Sequence, residues 1–238
     1  MSKIARLLGT PVLTSILASA VVFSVLLLIP RLGAVRLTGI QTGYEPPQPI
    51  AFSHRLHAGE MQVSCLYCHS GAERSRHAGV PAANVCMNCH KFVTAPLGAV
   101  RAEEEAAQKE GRKPNQVISP ELAKLYDALA LNAQMKRDPA KAPRPIQWMK
   151  VHNLPDFVYF DHRPHVAAGV ACQKCHGPVE TMERVRQTEN LTMGWCVNCH
   201  RDISANGLPA TAAAPAEMTP PHRDRKLYAS VDCVTCHY

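Results

Sequence analysis

The pattern of hydrophobic and polar positions separates one long apolar run from a mostly polar remainder. Residues 11–30, PVLTSILASAVVFSVLLLIP, contain no charged side chain. About 20 apolar residues are enough for a helix to span a bilayer. Lys3 and Arg6 precede the run, as in a secretion signal, but the run exceeds the apolar core of about 7–15 residues that a cleaved signal has. We therefore predict that residues 1–36 are an uncleaved signal anchor with one transmembrane helix.

The clearest helical pattern after the anchor lies in the middle of the chain. Residues 119–121, Ser-Pro-Glu, supply a capping hydroxyl, a proline for the first turn and an acid near the positive end of the helix dipole. Four apolar side chains then share one face, which should pack against other residues: Leu122, Leu125, Tyr126 and Leu129. Residues 101–113 are charged and favour a solvated helix, and residues 138–147 are proline-rich and should be extended. No stretch alternates with the period of a strand.

Cysteine decides what chemistry this chain carries. All ten cysteines fall in five copies of Cys-x-x-Cys-His. The copies are Cys65, Cys68 and His69 (motif I); Cys86, Cys89 and His90 (motif II); Cys172, Cys175 and His176 (motif III); Cys196, Cys199 and His200 (motif IV); and Cys233, Cys236 and His237 (motif V). This pattern indicates c-type haem attachment, because two thiols can form thioether bonds to one macrocycle while the next histidine binds its iron as proximal ligand.

Two other uses of paired cysteines fit less well. A disulfide framework would not require a histidine after every second cysteine, and zinc ribbons rarely place one directly after each pair. We predict five covalently bound haem c groups.

The composition agrees with a chain that wraps cofactors. Aromatic residues make up 5% of the chain and there are 19 prolines, so the polypeptide alone would bury a thin core. We predict a mainly α and irregular fold of short helices and loops around five haems, plus the N-terminal transmembrane helix, with little folded structure in the absence of haem. The formal charge of +7 is modest and no cluster of Lys and Arg stands out, which excludes a nucleic-acid partner.

An internal repeat organises the motifs. FSHRLH at 52–57 leads into motifs I and II, and FDHRPH at 160–165 leads into motifs III and IV. This form indicates two dihaem modules derived from one ancestral unit. The predicted organisation is an anchor (1–36), a stalk (37–51), a first dihaem module (52–95), a linker with a helix (96–147), a second dihaem module (148–207), and a linker with the fifth haem (208–238).

The distal ligands determine the haem potentials. In each Phe-x-His-x-x-His unit the two histidines lie three apart, so one helical turn can serve two neighbouring haems. We predict four of these histidines as distal ligands: His54, His57, His162 and His165.

Other candidates lie outside the repeated unit. His152, in an apolar-flanked segment, is a further candidate, whereas His77 and His222 are weaker ones that could instead hydrogen-bond a propionate. Met193, in LTMGWCVNCHR, either packs against a haem or is the distal ligand of the motif IV haem, which would then have a higher potential. Met87, inside motif II, is expected to be a packing contact.

Function follows from the ligand count. Candidate ligands outnumber irons, so nothing requires an open coordination site for substrate. All five motifs end in histidine, without the Cys-x-x-Cys-Lys variant that marks multihaem nitrite reductases. We expect an electron conduit rather than a catalyst by itself. Because covalent haem is assembled outside the bacterial cytoplasmic membrane, the N-terminus should be inside and the haem domain on the periplasmic face.

Several stretches resemble one family. FSHRLHAGEMQVSCLYCHSGAERSRHAGVPAANVCMNCHK, HNLPDFVYFDHRPHVAAGVACQKCHGPVETM, LTMGWCVNCHR and the terminal CxxCHY are similar to the pentahaem cytochrome subunit of bacterial alternative complex III, a quinol:electron acceptor oxidoreductase. The resemblance covers residues 44–238, and residues 101–137 are where this chain is expected to depart from its relatives. In the family, the methionine of LTMGWC is a plausible haem ligand.

The resemblance implies a large membrane assembly. Its expected partners are an iron–sulfur subunit related to molybdopterin oxidoreductases, polytopic quinol-binding subunits and a monohaem cytochrome, with a cytochrome c, a copper protein or an attached terminal oxidase as acceptor. Two alternatives remain open. One is a stand-alone multihaem quinol dehydrogenase that feeds a periplasmic reductase. The other is a haem filament, against which the anchor argues.

Overall fold

The computed structural model describes residues 10–34, 41–132, 134–208 and 228–237. In these ranges the chain forms eleven helical segments, of which α2 is a π-helical turn, and a 3₁₀ turn at Val179–Thr181. The segments are α1 (Thr10–Ala34), α2 (Arg55–Glu60), α3 (Cys65–Cys68), α4 (Gly71–Arg74), α5 (Ala83–His90), α6 (Leu97–Glu110), α7 (Pro120–Ala128), α8 (His162–Ala167), α9 (Gln173–His176), α10 (Met193–Asn206) and α11 (Cys233–Cys236).

Extended pairing is confined to two isolated bridges among the described residues, Leu131 with Arg137 and Val158 with His237. The prediction of a mainly helical and irregular chain is therefore confirmed.

Helix α1 is long and apolar enough to cross a membrane. Its central part, Val12–Ile29, has no charged side chain and no buried residue. A membrane anchor and a secretion signal share these features. The flanking residues Lys3 and Arg6, which entered the prediction of the anchor, lie outside the described residues.

The largest conventional core lies in the linker. Helix α6 ends at Gly111, whose φ of 67° is in the left-handed region that favours glycine. Ser119 caps α7 by accepting a hydrogen bond from the Leu122 N–H at 3.3 Å. Leu125 and Tyr126 on this helix are 3% and 4% exposed. The helix predicted from the Ser-Pro-Glu start is confirmed, and it packs on α5 with its apolar face.

The segment that precedes the first module is held against the second. Gly43 donates to the Gln187 carbonyl at 2.8 Å, and Gln187 donates in return to the Tyr44 carbonyl at 3.1 Å. The Gln48 amide makes two hydrogen bonds with the backbone of Met149, at 2.9 and 3.0 Å. Within the described part of the predicted stalk, residues 43–48 therefore pack on the protein.

The two modules contact each other reciprocally. The α2 turn of the first module packs on the 3₁₀ turn of the second, and α8 of the second packs on α4 of the first. The backbone N–H of Arg55 donates to the Met182 carbonyl at 2.9 Å, and the backbone N–H of His162 donates to the Arg76 carbonyl at 3.3 Å. This exchange of equivalent surfaces is the signature of a two-fold interface.

Gly59 allows the close approach of α2 to the second module. A Cβ at this position would lie 2.3 Å from the carbonyl oxygen of Glu180. The equivalent position of the second module, counted from the repeated phenylalanine, is Ala167. The modules are therefore related in fold, but their contact surfaces differ in detail.

Candidate haem-binding sites

Each motif lies in or beside a short helix. Motifs II and IV are inside α5 and α10, whereas the cysteines of motifs I and V form α3 and α11, and motif III forms α9 with the preceding Cys172 as N-cap. The two cysteines of a motif are three positions apart, a helical spacing that places both thiols on one side of the turn. Side-chain caps stabilise the first turns of α3 and α10: Ser64 accepts a hydrogen bond from the Leu66 N–H at 3.3 Å, and Thr192 accepts one from the Trp195 N–H at 3.4 Å.

Four motif histidines each face a histidine from a Phe-x-His-x-x-His unit. The distances between ring centroids are 6.5 Å for His54–His69, 6.0 Å for His57–His90, 6.4 Å for His162–His176 and 6.0 Å for His165–His200. Imidazole nitrogens bind first-row metal ions at about 2.0 Å, so two imidazoles on opposite sides of one metal have ring centroids about 6.3 Å apart. All four pairs have this separation, and their donor set fits a haem iron with two axial imidazoles.

One short element in each module serves two motifs. The α2 region of the first module points His54 at motif I and His57 at motif II, and α8 of the second module points His162 at motif III and His165 at motif IV. This is the arrangement expected from two histidines three residues apart.

The repeated phenylalanine, to which we assigned no role from the sequence alone, orients these histidines. The Phe52 ring lies 4.9 Å from the His54 ring, edge to face, and 4.3 Å from the His57 ring, stacked. Phe160 likewise contacts both histidines of its own unit, edge to face with His162 at 4.9 Å and tilted against His165 at 4.8 Å. The recurrence of phenylalanine at both positions was the sequence signal for this role.

Backbone carbonyls fix the orientation of six of these imidazoles. The Nδ1 acceptors are Gly79 for His69 (2.6 Å), Val93 for His90 (2.9 Å), Ser230 for His200 (2.6 Å), Ser53 for His57 (2.8 Å), Asp161 for His165 (2.8 Å) and Arg76 for His162 (2.9 Å). A carbonyl can only accept, so each of these rings carries its proton on Nδ1 and leaves Nε2 free for a metal. Sequence reasoning could not find these acceptors, because any residue supplies a carbonyl.

Burial keeps the central imidazoles neutral. It lowers the pKa of His54 to about 4, helped by the neighbouring His69 and His57. It also lowers the pKa of His176 to about 3, and three nearby histidines add to the effect. Burial lowers the pKa of His165 as well. At neutral pH these rings are therefore uncharged, which is the form that binds metals.

Electrostatic interactions between cysteines of different motifs indicate that the motifs lie in a row. Motif II adjoins I, I adjoins III, III adjoins IV, and IV adjoins V through four interacting thiol pairs: Cys89–Cys68, Cys65–Cys172, Cys199–Cys175 and Cys236–Cys196. The interaction between Cys65 and Cys172 joins the first cysteine of each module. The spatial order II–I–III–IV–V thus differs from the order along the chain, and the two modules meet at motifs I and III.

The remaining candidate ligands lie elsewhere. The His152 ring lies 4.4 Å from His176 and edge-on, too close for the two to face each other across one metal, and its Nε2 is buried without a hydrogen-bond partner. Burial lowers the pKa of His152 to about 4. His77 is exposed. His222 lies outside the described residues.

Among the described residues, no histidine ring faces motif V or Met193. Met193 begins α10 and its side chain is 65% exposed. His165 lies opposite His200, which is the position that the sequence prediction gave to Met193. Among the described residues, His237 stacks on Phe157 at 5.8 Å and has no histidine facing it. Among the described residues, neither Met193 nor His237 of motif V therefore has a histidine ring opposite it. Met193 begins the helix that contains motif IV, the neighbour of motif V in the row.

The arrangement of ligands differs from that of a zinc site. Among the described residues, no three histidine, cysteine or carboxylate side chains converge to hold a metal ion. All ten cysteines lie in the described ranges, and none forms a disulfide.

Comparisons with known proteins agree with this geometry. Residues 158–238 match the family model of cytochrome c7 and related cytochrome c. The chain is also 27% identical, over 180 residues, to the menaquinone reductase multihaem cytochrome c subunit of Nitratidesulfovibrio vulgaris strain Hildenborough. That alignment covers 76% of this chain and 59% of the relative. Together with the repeated attachment motifs and the paired imidazoles, these similarities support a multihaem cytochrome c that transports electrons.

Proposed function

We propose that this protein is a membrane-anchored pentahaem cytochrome that relays electrons within a quinol-oxidising complex similar to alternative complex III. The observation that carries the proposal is the unbroken row of five motifs, II–I–III–IV–V, in which each motif adjoins the next. When bound, each haem iron changes between its ferric and ferrous states and so carries one electron.

The chain's own residues hold these groups in fixed positions. The ten motif cysteines attach them, and the motif histidines supply the proximal ligands. The proposed distal ligands are His54 for motif I, His57 for motif II, His162 for motif III and His165 for motif IV, each at the ring separation that two axial imidazoles require. Rigid ligands on both sides of a metal leave no position for substrate, which suits a relay.

Met193 is the proposed distal ligand of motif V. Motif IV already has a facing histidine, and the thiols of Cys196 on α10 and Cys236 of motif V interact. Met193 begins the same helix α10, three residues before Cys196. A thioether ligand would raise the potential at this end of the row above that of a site with two histidines. We assign His152, in contact with His176, to the surroundings of motif III rather than to an iron.

The link to quinone rests on two similarities. The printed name of the relative assigns it to a menaquinone reductase, and the sequence resembles a quinol-oxidising complex. Exchange of electrons with a quinone pool is common to both. The proposed partners are an iron–sulfur subunit related to molybdopterin oxidoreductases, polytopic quinol-binding subunits and a monohaem cytochrome. A cytochrome c or a copper protein is the proposed external acceptor.

The proposed location is the bacterial cytoplasmic membrane. Helix α1 would be the single anchor, with the N-terminus inside and the haem domain on the periplasmic face. A chain that lacks residues 1–36, exported behind a cleavable signal, should then be recovered in the soluble periplasmic fraction. The full chain should stay in the membrane after an alkaline wash.

Gentle extraction of the intact particle, with identification of every co-purifying subunit by mass, tests the assembly. An iron–sulfur protein with several polytopic subunits is the expected result. A chain that purifies alone or with one soluble reductase would replace the proposal by the stand-alone quinol dehydrogenase. Reduction of the haems by a quinol analogue, rather than reduction of a quinone by a prereduced chain, would support quinol oxidation as the direction.

A further inference from the structure

The hydrogen bonds on the ligand histidines divide the four paired-histidine sites into two classes. At the outer sites, motifs II and IV, both facing histidines donate from Nδ1 to a backbone carbonyl. At the inner sites, motifs I and III, one histidine of each pair does so: His69 to Gly79 and His162 to Arg76. Four such bonds therefore serve the outer pair of sites, and two serve the inner pair.

The two ligands without a carbonyl partner both lie where the modules meet. The Nδ1 of His54 is buried and has no hydrogen-bond partner. Among the described residues, no carbonyl accepts from His176, whose ring is instead contacted edge-on by His152 at 4.4 Å.

A hydrogen bond from Nδ1–H increases the basicity of the opposite nitrogen. A stronger donor stabilises ferric iron more than ferrous iron, so each such bond lowers the reduction potential of the metal that the ring binds. The missing bonds therefore raise the potential at the inner sites relative to the outer sites.

We propose that motifs I and III form a higher-potential pair between lower-potential sites at motifs II and IV. At equilibrium, an electron on the motif II or IV iron passes to an oxidised inner iron. One iron is oxidised and one is reduced, and no proton moves, since every Nδ1–H keeps its proton. The inner pair then stores two electrons, the number that one quinol releases. This inference rests on the ligand assignment in the proposed function and adds an order of potentials to it.

The ring planes provide a spectroscopic label for each class. The facing rings are nearly parallel at the inner sites, with interplanar angles of 5° and 6°. They are rotated at the outer sites, by 59° at motif II and 39° at motif IV. Parallel axial imidazoles give low-spin ferric iron a rhombic electron paramagnetic resonance (EPR) spectrum, and rotation of the planes makes the spectrum more anisotropic with a larger gmax. The two classes can therefore be followed separately in the unmodified protein.

The test is a potentiometric measurement on the intact detergent-solubilised protein, followed by EPR. As the potential is lowered, we expect the rhombic signals to disappear first and the large-gmax signals later. The reverse order, or the loss of both kinds of signal together, would overturn the inference.

Two distal-ligand variants assign the signals and separate the two levels of argument. His54→Met should replace a rhombic signal and raise its midpoint potential, whereas His57→Met should do so for a large-gmax signal. If neither substitution changes any low-spin signal, the ligand assignment of the proposed function fails. If both change the expected signals but the order of reduction is reversed, the ligand assignment holds and only the present inference is lost. The measurement on the unmodified protein decides the order even if a variant does not fold.

Discussion

The contact between the two modules can be tested by a single methyl group. In Gly59→Ala, the new Cβ would lie 2.3 Å from the carbonyl oxygen of Glu180, whereas real Cβ atoms almost never approach closer than 3.0 Å. The obstacle is backbone, so no side chain can rotate away. Turn α2 would have to retreat by about 0.7 Å from the second module, which would weaken the Arg55–Met182 hydrogen bond.

The expected loss follows from the cost of overpacking a well-packed contact. Such insertions cost about 1–3 kcal/mol, roughly a five- to 150-fold rise in the unfolded fraction. Gly98→Ala is the matched control. This glycine lies inside α6, and a Cβ there would meet nothing within 4 Å. The control should be stabilised by about 0.5–1 kcal/mol, the gain in helix propensity.

The assay is guanidinium unfolding of the purified haem-loaded chain in detergent, followed by far-ultraviolet circular dichroism and Soret absorbance. Gly59→Ala should unfold at a lower denaturant concentration than the parent, and Gly98→Ala at an equal or higher one. Because His57 lies on the same turn, Gly59→Ala should also alter the large-gmax signal of motif II. An unchanged midpoint with an unchanged denaturant dependence would refute the close approach of α2 to Glu180.

Three further predictions address the linker and the motifs. Tyr126→Phe removes a hydrogen bond of 2.7 Å to the carbonyl of the motif II histidine, so the free energy of unfolding should fall by about 0.5–1.5 kcal/mol; no loss in equilibrium unfolding would contradict this packing. Hydrogen bonds from Arg112 and from a backbone N–H lower the pKa of Glu103 to about 2. This stabilising contribution is therefore present above the ordinary pKa of 4.5 and is lost as the pH falls through about 2. Hydrogen-exchange protection of residues 103–115, corrected for intrinsic rates, should fall in the parent as the pH is lowered from 4.5 to about 2. In Arg112→Gln the protection should already be low at pH 7. Equal protection in both chains would disprove the contact. Replacing both Cys233 and Cys236 by alanine should reduce the intact mass by one haem, from five to four, and a parent mass with fewer than five would contradict the haem count.

Local patterns were the features that sequence could predict. The helix that starts at Ser119 was predicted because its cap, its proline and its apolar face all lie within about ten residues of one another. The pairing of one helical turn with two motifs was predicted because a three-residue spacing fixes the relative directions of two side chains. The absence of strands among the described residues was predicted from the lack of alternating runs.

Features that depend on distant contacts could not be predicted. The row order II–I–III–IV–V arises because equivalent surfaces of the two modules meet, and nothing local to motif I indicates motif III as its neighbour. The placement of His152 against His176, and of Phe157 against His237, depends on how the chain returns to earlier elements. Carbonyl acceptors such as that of Arg76 carry no side-chain signature at all.

The reciprocal contact between the modules has a consequence for the history of the chain. A two-fold interface between equivalent surfaces is what a homodimer of one ancestral dihaem unit would possess. Joining the two copies in one polypeptide makes their association intramolecular, so it no longer depends on protein concentration. The cost of closing a loop grows slowly with its length, so a connection such as residues 96–147 could lengthen and acquire helices with a core of their own. After fusion the two halves were free to diverge, which would allow one end of the row to gain a fifth motif while the other became covered by the connecting helices.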